Sequence, residues 1–344
     1  DLPFNLRLTK IADISDKLAA QAASEMGFDQ YTGDWKNLIN DKEIDVINIT
    51  SPNALHKEMA LAAIKAGKHV YCEKPLATSV DDAKDMRNAA KVAGVKTQVG
   101  FNYICNPMLK KARKMILEGM LGEIRGFRGI HAEDYMASST SPYTWRHDPV
   151  GGGALADLGS HIIATAEFLV GPIKKVLGDC VTSIKTRKDI YGTEWNIKVD
   201  DVSRAFIKFE NGASGSIEAN WIATGRKMQH DFEIYGSKGA IFFSQERFNE
   251  LLFYQNDDPA GQQGFRTIFA SPDHEPYGRF CVAPGHQLGF GDLKAIEVKE
   301  FVDSIAGITD EPFNFDAGLR VQCLVELIQQ SSIETKWLSL GEDK

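Results

Sequence analysis

A chain of 344 residues is longer than one hydrophobic core usually serves, so two domains are expected. Its 43% hydrophobic and 25% charged fractions are those of an ordinary soluble globular protein. A formal net charge of −8, with no Lys/Arg cluster to offset it, argues against nucleic-acid binding, and no stretch approaches the ~20 apolar residues of a membrane span. The five cysteines are odd in number, widely spaced and never in a CxxC pair. They suggest neither a disulfide framework nor a zinc site, and a cytoplasmic location fits them best.

The first hundred residues alternate two patterns. Residues 6–13 (LRLTKIAD) read as a strand, followed by an alanine-rich helix with Ser15 as its N-cap and Gly27 as its stop. DWKNLIN reads as a short helix. IDVINIT (44–50) is an almost continuous β-branched run, the pattern of a strand buried on both faces. Ser51-Pro52-Asn53 then leads into a helix that Asn53 can cap and Gly67 can end. HVYCEK, a helix over SVDDAKDMRNAAKVAG and VKTQVGF complete the series. Strands separated by helices of this length predict βαβ units and a doubly wound parallel sheet of Rossmann type over residues 1–102.

Beyond residue 120 the pattern changes. GEIRGFRGIHAEDY reads as a strand, and one helix runs from the Gly151-Gly152-Gly153 run to about Val170. Strands then follow one another with hairpin signals at Asn211-Gly212 and Ser237-Lys238-Gly239, which predicts a large, mainly antiparallel open sheet in an α+β domain over residues 103–344. Residues 255–290 read as a long loop, and two helices near 292–306 and 316–335 close the chain, placed to pack back on the first domain. A lone open sheet would expose one large face, so a homodimer or homotetramer is expected. A dinucleotide-binding half normally opens with a strand and GxGxxG. No such motif precedes the first strand read here, and the expectation is that the first strand, phosphate loop and first helix lie outside this sequence.

Several residues carry chemistry. Lys74 leaves the third strand of the series at its carboxyl end, where open α/β sheets bind ligands, and Pro75 holds the backbone there in a non-helical conformation. Asp157 and His161 lie four apart on one helix face, a carboxylate beside an imidazole suited to take a proton. The three glycines before that helix would let backbone approach a ligand closely. Asp13, followed by Ile14, ends a strand where a carboxylate can bind both ribose hydroxyls and repel a 2′-phosphate, which favours NAD over NADP; Lys10 and Lys17 keep the phosphate open. Tyr103, Trp145, Arg146 and His147 are candidates for a substrate pocket, since an aromatic beside an arginine suits a sugar's face and hydroxyls. The other histidines lack metal-ligand spacing, so no metal is expected.

Four stretches, IADIS, ITSPNALHKEMALAAIKAGKHVYCEKPLA, GFNY and GGGALADLGSHII, resemble the Gfo/Idh/MocA family of nicotinamide-dependent sugar and polyol dehydrogenases, in order over nearly the whole chain. The resemblance implies a dinucleotide domain followed by an α/β domain with a large open sheet, the substrate lying between them. It implies that Lys74 orients and polarises the reacting hydroxyl of an inositol-like or aldose substrate, that His161 is the base, and that Asp157 assists and holds the sugar. It implies further that Ser51, Pro52, Asn53 and His56 line the cofactor, that Glu73 contacts the nicotinamide ribose, and that Asn102 sits near the nicotinamide. Many members carry an arginine where Ile104 stands, which removes any substrate contact that arginine would make. Two other readings stay open: an NAD-retaining glycosidase of the same family, and a non-catalytic sugar or dinucleotide sensor.

Overall fold

A computed structural model describes residues 2–310 and 313–341. The chain divides into two compact units, residues 1–100 with 297–319, and residues 101–296 with 320–344.

The first unit is built of short parallel ladders. Strand β1 (Lys10–Ala12) runs into α1 (Asp16–Met26), whose N-cap Ser15 accepts a hydrogen bond from Leu18 N and whose stop, Gly27, has φ +80°. Strand β2 (Gln30–Thr32) pairs in parallel with β1, and the short helix α2 (Lys36–Ile39) follows. Strands β3 (Val46–Ile49), β4 (His69–Cys72) and β5 (Thr97–Val99) form a second parallel sheet in that spatial order. Helices α3 (His56–Lys65) and α4 (Val80–Ala93) connect them. Ser79 caps α4 by accepting from Asp82 N, as Ser15 does for α1. The sheets β1–β2 and β3–β4–β5 share no ladder among the described residues, and in the doubly wound order one strand stands between them. Helix α3 packs on β3, β4 and α4, and small buried alanines (Ala60 and Ala63 on α3, Ala83 and Ala90 on α4) let these elements pack closely.

The second unit opens with α5 (Pro107–Leu117), a helix the sequence reading passed over although Asn106 caps it and Pro107 takes its first position. Strand β6 (Ile124–Ala132) leads towards a π-helical turn, Leu155–Gly159, that continues as α6 (Ser160–Val170). Then come β7 (Ile173–Val181), the hairpin β8 (Thr186–Lys188) and β9 (Glu194–Asn196), β10 (Val202–Phe209), β11 (Ser214–Asn220), β12 (Gln229–Gly236), β13 (Gly239–Ser244), β14 (Glu250–Gln255) and β15 (Arg266–Phe269). Helices α7 (Phe290–Ile305) and α8 (Phe315–Glu334), which each contribute to both units, and strand β16 (Leu338–Ser339) end the series. Nine strands form one sheet in the order β15-β14-β13-β12-β6-β11-β10-β7-β16. The β11–β6 pair is parallel, so the sheet is mixed rather than purely antiparallel. Helices α5 and α6 pack on one face, and the residues of β10 alternate between buried and exposed, as a sheet covered on one side requires. The stretch read as one long loop, 255–290, contains β15 and a 3₁₀ turn at Tyr277–Arg279.

Candidate active site

In the first unit the polar residues gather at the carboxyl ends of the parallel strands. Ladder bonds continue past the ends of the strands: Glu73 N donates to Ile49 O and Gly100 N to Cys72 O, both at 2.9 Å. Lys74 therefore leaves β4 from a fixed backbone, and the Lys74–Pro75 bond, left open by the sequence, is cis. His56 was expected among the cofactor contacts. In the structure His56 is fully buried, with Nδ1 2.9 Å from Pro75 O and Nε2 2.9 Å from Ser51 O. Both ring nitrogens thus face carbonyls of the turns after β3 and β4, and the one that carries the proton in the neutral ring donates to its carbonyl.

Around it lie groups suited to a dinucleotide. Asp13, exposed at the end of β1, accepts from Ile14 N at 2.6 Å, which turns its carboxylate outwards beside a side chain that is 89% exposed. Ser51 Oγ is buried and has no hydrogen-bond partner among the described residues, a polar atom that a bound ribose or phosphate would satisfy. Pro52 is exposed, and Asn53 opens a 3₁₀ turn into α3. Glu73 lies against Tyr71, whose hydroxyl is 3.4 Å from Glu73 Oε1. These residues fit NAD.

In the second unit the start of the π-helical turn is fixed by Asp200. Its carboxylate accepts from Leu155 N at 2.7 Å and Ser203 Oγ at 2.8 Å, and its carbonyl accepts from Ala154 N at 2.9 Å. Burial pushes the Asp200 carboxyl above its ordinary range. The glycine run does not open space for a ligand, as the sequence suggested; the protein's own atoms fill it. A Cβ on Gly153 would lie 2.3 Å from Asp200 Oδ1, and one on Gly152 would lie 2.4 Å from the carbonyl oxygens of both Arg146 and Asp148.

Hydrogen bonds and stacking join Asp157, Arg146 and Trp145 to Tyr135, a residue that carries no sequence signal. Asp157 Oδ2 accepts from Tyr135 Oη at 2.7 Å and from Arg146 Nε at 3.1 Å. Arg146 in turn stacks over Trp145, 4.4 Å from its ring centre. Burial, then the Asp157 charge, pushes the Tyr135 phenol far above its ordinary value, so it stays a donor. His161 is buried, its ring edge-on to Phe101 (5.6 Å) and Tyr103 (4.5 Å) and 5.5 Å from the ring of His131. Tyr103 stacks on His230 at 4.8 Å, and burial with the charges of Glu133 and Asp157 keeps its hydroxyl protonated. His131 spends Nδ1 on Leu158 O (3.1 Å) and Nε2 on Glu133 Oε1 (3.2 Å). Asn102 is buried with its side-chain nitrogen unpartnered among the described residues.

His147 departs from expectation. Only 1% exposed, it accepts from Thr144 N through Nδ1 and packs against Tyr143 and Trp221, burial lowers its pKa, and its Nε2 is buried without a partner among the described residues. The loop between Tyr135 and Trp145 is shaped by Arg187, buried to 2% exposure, whose guanidinium donates to the carbonyls of Met136 (2.7 Å), Ser138 (2.8 Å) and Ser141 (3.1 Å). No sequence signal marks Arg187, since its partners are backbone atoms.

Residues 3–101 match the model of an oxidoreductase family with an NAD-binding Rossmann fold, and residues 109–242 match the Gfo/Idh/MocA C-terminal domain. The chain belongs to the Gfo/Idh/MocA family. Members similar to it include levoglucosan dehydrogenase of Pseudarthrobacter phenanthrenivorans, 38% identical over 348 residues, covering 96% of this chain and 89% of the relative. D-xylose dehydrogenase of Paenarthrobacter nicotinovorans is 28% identical over 329 residues, 91% of this chain and 81% of the relative. Among solved structures, a levoglucosan dehydrogenase in complex with NADH and levoglucosan superposes with a TM-score of 0.94 at 37% identity, covering 98% of this chain and 90% of that one. As a Gfo/Idh/MocA member this chain is an NAD-binding oxidoreductase, and both halves of the expected fold are those of the family.

Proposed function

We propose that this oxidoreductase oxidises a secondary alcohol of a cyclic sugar, with an anhydro-sugar such as levoglucosan as the first candidate and aldoses or inositols next. The observation that carries the reading is the Asp157 carboxylate, held by Tyr135 and by Arg146, which stacks over the Trp145 ring. A fixed carboxylate reads sugar hydroxyls, an aromatic plane covers the apolar face of a pyranose, and an imidazole accepts a proton near neutral pH. The similarity to levoglucosan dehydrogenase over most of both chains supports the same substrate class.

In this mechanism the Lys74 ammonium holds the reacting hydroxyl and stabilises the alkoxide as it forms. His161 takes the hydroxyl proton, and Asp157 accepts a hydrogen bond from a second hydroxyl and so fixes the ring. NAD, when bound, supplies the hydride acceptor. Asp13 holds the adenosine ribose, Ser51 lines the cofactor, Glu73 contacts the nicotinamide ribose, and Asn102 sits near the nicotinamide. The helix-free face of the nine-stranded sheet, with Arg128, Arg204, Phe206, Glu218 and Glu233 upon it, is the surface on which we place a homo-oligomer contact.

The test is a panel of levoglucosan, aldoses and inositols followed by NADH absorbance. Turnover with at least one sugar, lowered roughly a hundredfold or more in kcat/KM by Lys74→Ala, is the expected result. Hydrolysis of a glycoside without NADH accumulation, or no turnover with any of them, would overturn it.

A further inference from the structure

A phenol and a second carboxylate stand behind Glu73, and neither has a role in the chemistry above. Tyr71 Oη donates to Glu297 Oε2 at 2.6 Å and lies 3.4 Å from Glu73 Oε1. Glu297 is fully buried on α7, 226 residues away in sequence. The Tyr71 ring also meets Phe301, one turn further along the same helix, at 6.2 Å. Gly100, at the end of the neighbouring strand, leaves room for the group: a Cβ there would lie 2.7 Å from Tyr71 Oη and 2.8 Å from Glu73 Oε2. A buried carboxylate is costly unless it accepts hydrogen bonds, so an acid placed where a strand-end tyrosine can satisfy it fixes that tyrosine strongly.

We propose that Tyr71 and Glu297 are positioning residues for Glu73: Glu297 accepts the hydrogen bond of the single Tyr71 hydroxyl proton and so fixes the ring, and the fixed phenol oxygen, 3.4 Å from Glu73 Oε1 and presenting only lone pairs to it, limits where that carboxylate can sit and turns it towards the cofactor ribose. This rests on the reading of Glu73 as a ribose contact. The helix that carries Glu297 thereby contributes to cofactor affinity from far along the chain.

NADH binding by the full-length protein, followed by cofactor fluorescence without any sugar, tests the proposal. Glu73→Gln is expected to weaken binding roughly tenfold, as loss of a charge-assisted hydrogen bond does. Tyr71→Phe is expected to weaken it about fivefold on its own and to add nothing in the Glu73→Gln background, because the two changes remove one interaction. Glu297→Gln, which keeps an acceptor for the phenol, retains binding within about threefold, whereas Glu297→Leu matches Tyr71→Phe. Equal losses from Tyr71→Phe with and without Glu73→Gln would show that the phenol acts on stability alone and overturn the proposal. So would unchanged binding in Tyr71→Phe. If wild-type protein binds NADH but Glu73→Gln binds it equally well, the ribose contact itself falls, and the proposal with it.

Discussion

Asp157 shows how much one residue owes to its neighbours. The spacing of DLGSH marked it and His161 as candidates, because a carboxylate and an imidazole four apart share a face of an α-helix. Its partner Tyr135 was not legible, since a tyrosine just past a strand end carries no pattern of its own. Tyr135→Phe removes a hydrogen bond to a carboxylate without changing shape, and is expected to lower kcat/KM for the sugar roughly tenfold with the melting temperature little changed. Steady-state kinetics beside a thermal melt checks this. The burial of two candidate histidines, His56 and His147, was not legible from sequence. Each lies in a segment rich in candidate residues, and only packing reveals that both His56 nitrogens face backbone carbonyls and that His147 Nδ1 accepts from Thr144 N.

At the scale of elements, the parallel strands and their helices were legible because caps and stops are local: Ser15, Ser79 and Gly27 act where the sequence placed them or in the same manner. Alternation marked the strands of the large sheet. The parallel β6–β11 pairing was not legible, because these strands come together only across a long connection. Nor was the π-helical turn, whose wider coil depends on Asp200, some 45 positions from Leu155. Gly153 has φ +105° and faces the Asp200 carboxylate, so Gly153→Ala combines backbone strain with a clash. It is expected to destabilise the protein by about 2–4 kcal/mol in urea unfolding and to abolish sugar turnover. Asp200→Asn, which keeps one acceptor oxygen, is expected to cost less than Asp200→Ala in both assays.

For the whole molecule, acid stability follows from buried histidines. Burial, then His131, holds His230 well below its ordinary value, and burial lowers His147 as well. Both are neutral in the fold and titrate normally when unfolded. Below about pH 6.5 the unfolded chain therefore binds protons that the native state refuses, and stability present at neutral pH is lost as pH falls. The urea midpoint is expected to drop between about pH 7 and pH 5.5, with a shallower slope in His230→Gln. One sheet face carries Phe206, 62% exposed among charged residues, and if the proposed homo-oligomer forms there, Phe206→Asp shifts it to monomer in light scattering. The central proposal is that His161 takes the hydroxyl proton of a sugar carbinol whose hydride passes to NAD, with Lys74 holding that hydroxyl. It is tested most directly with levoglucosan deuterated at its ring carbinol carbons, followed by mass analysis of the NADH formed. Wild-type protein should deliver deuterium to NADH, and Lys74→Ala and His161→Ala should not, although both still bind NADH. Deuterium that stays in the sugar, or that reaches NADH unhindered in either variant, would contradict the account.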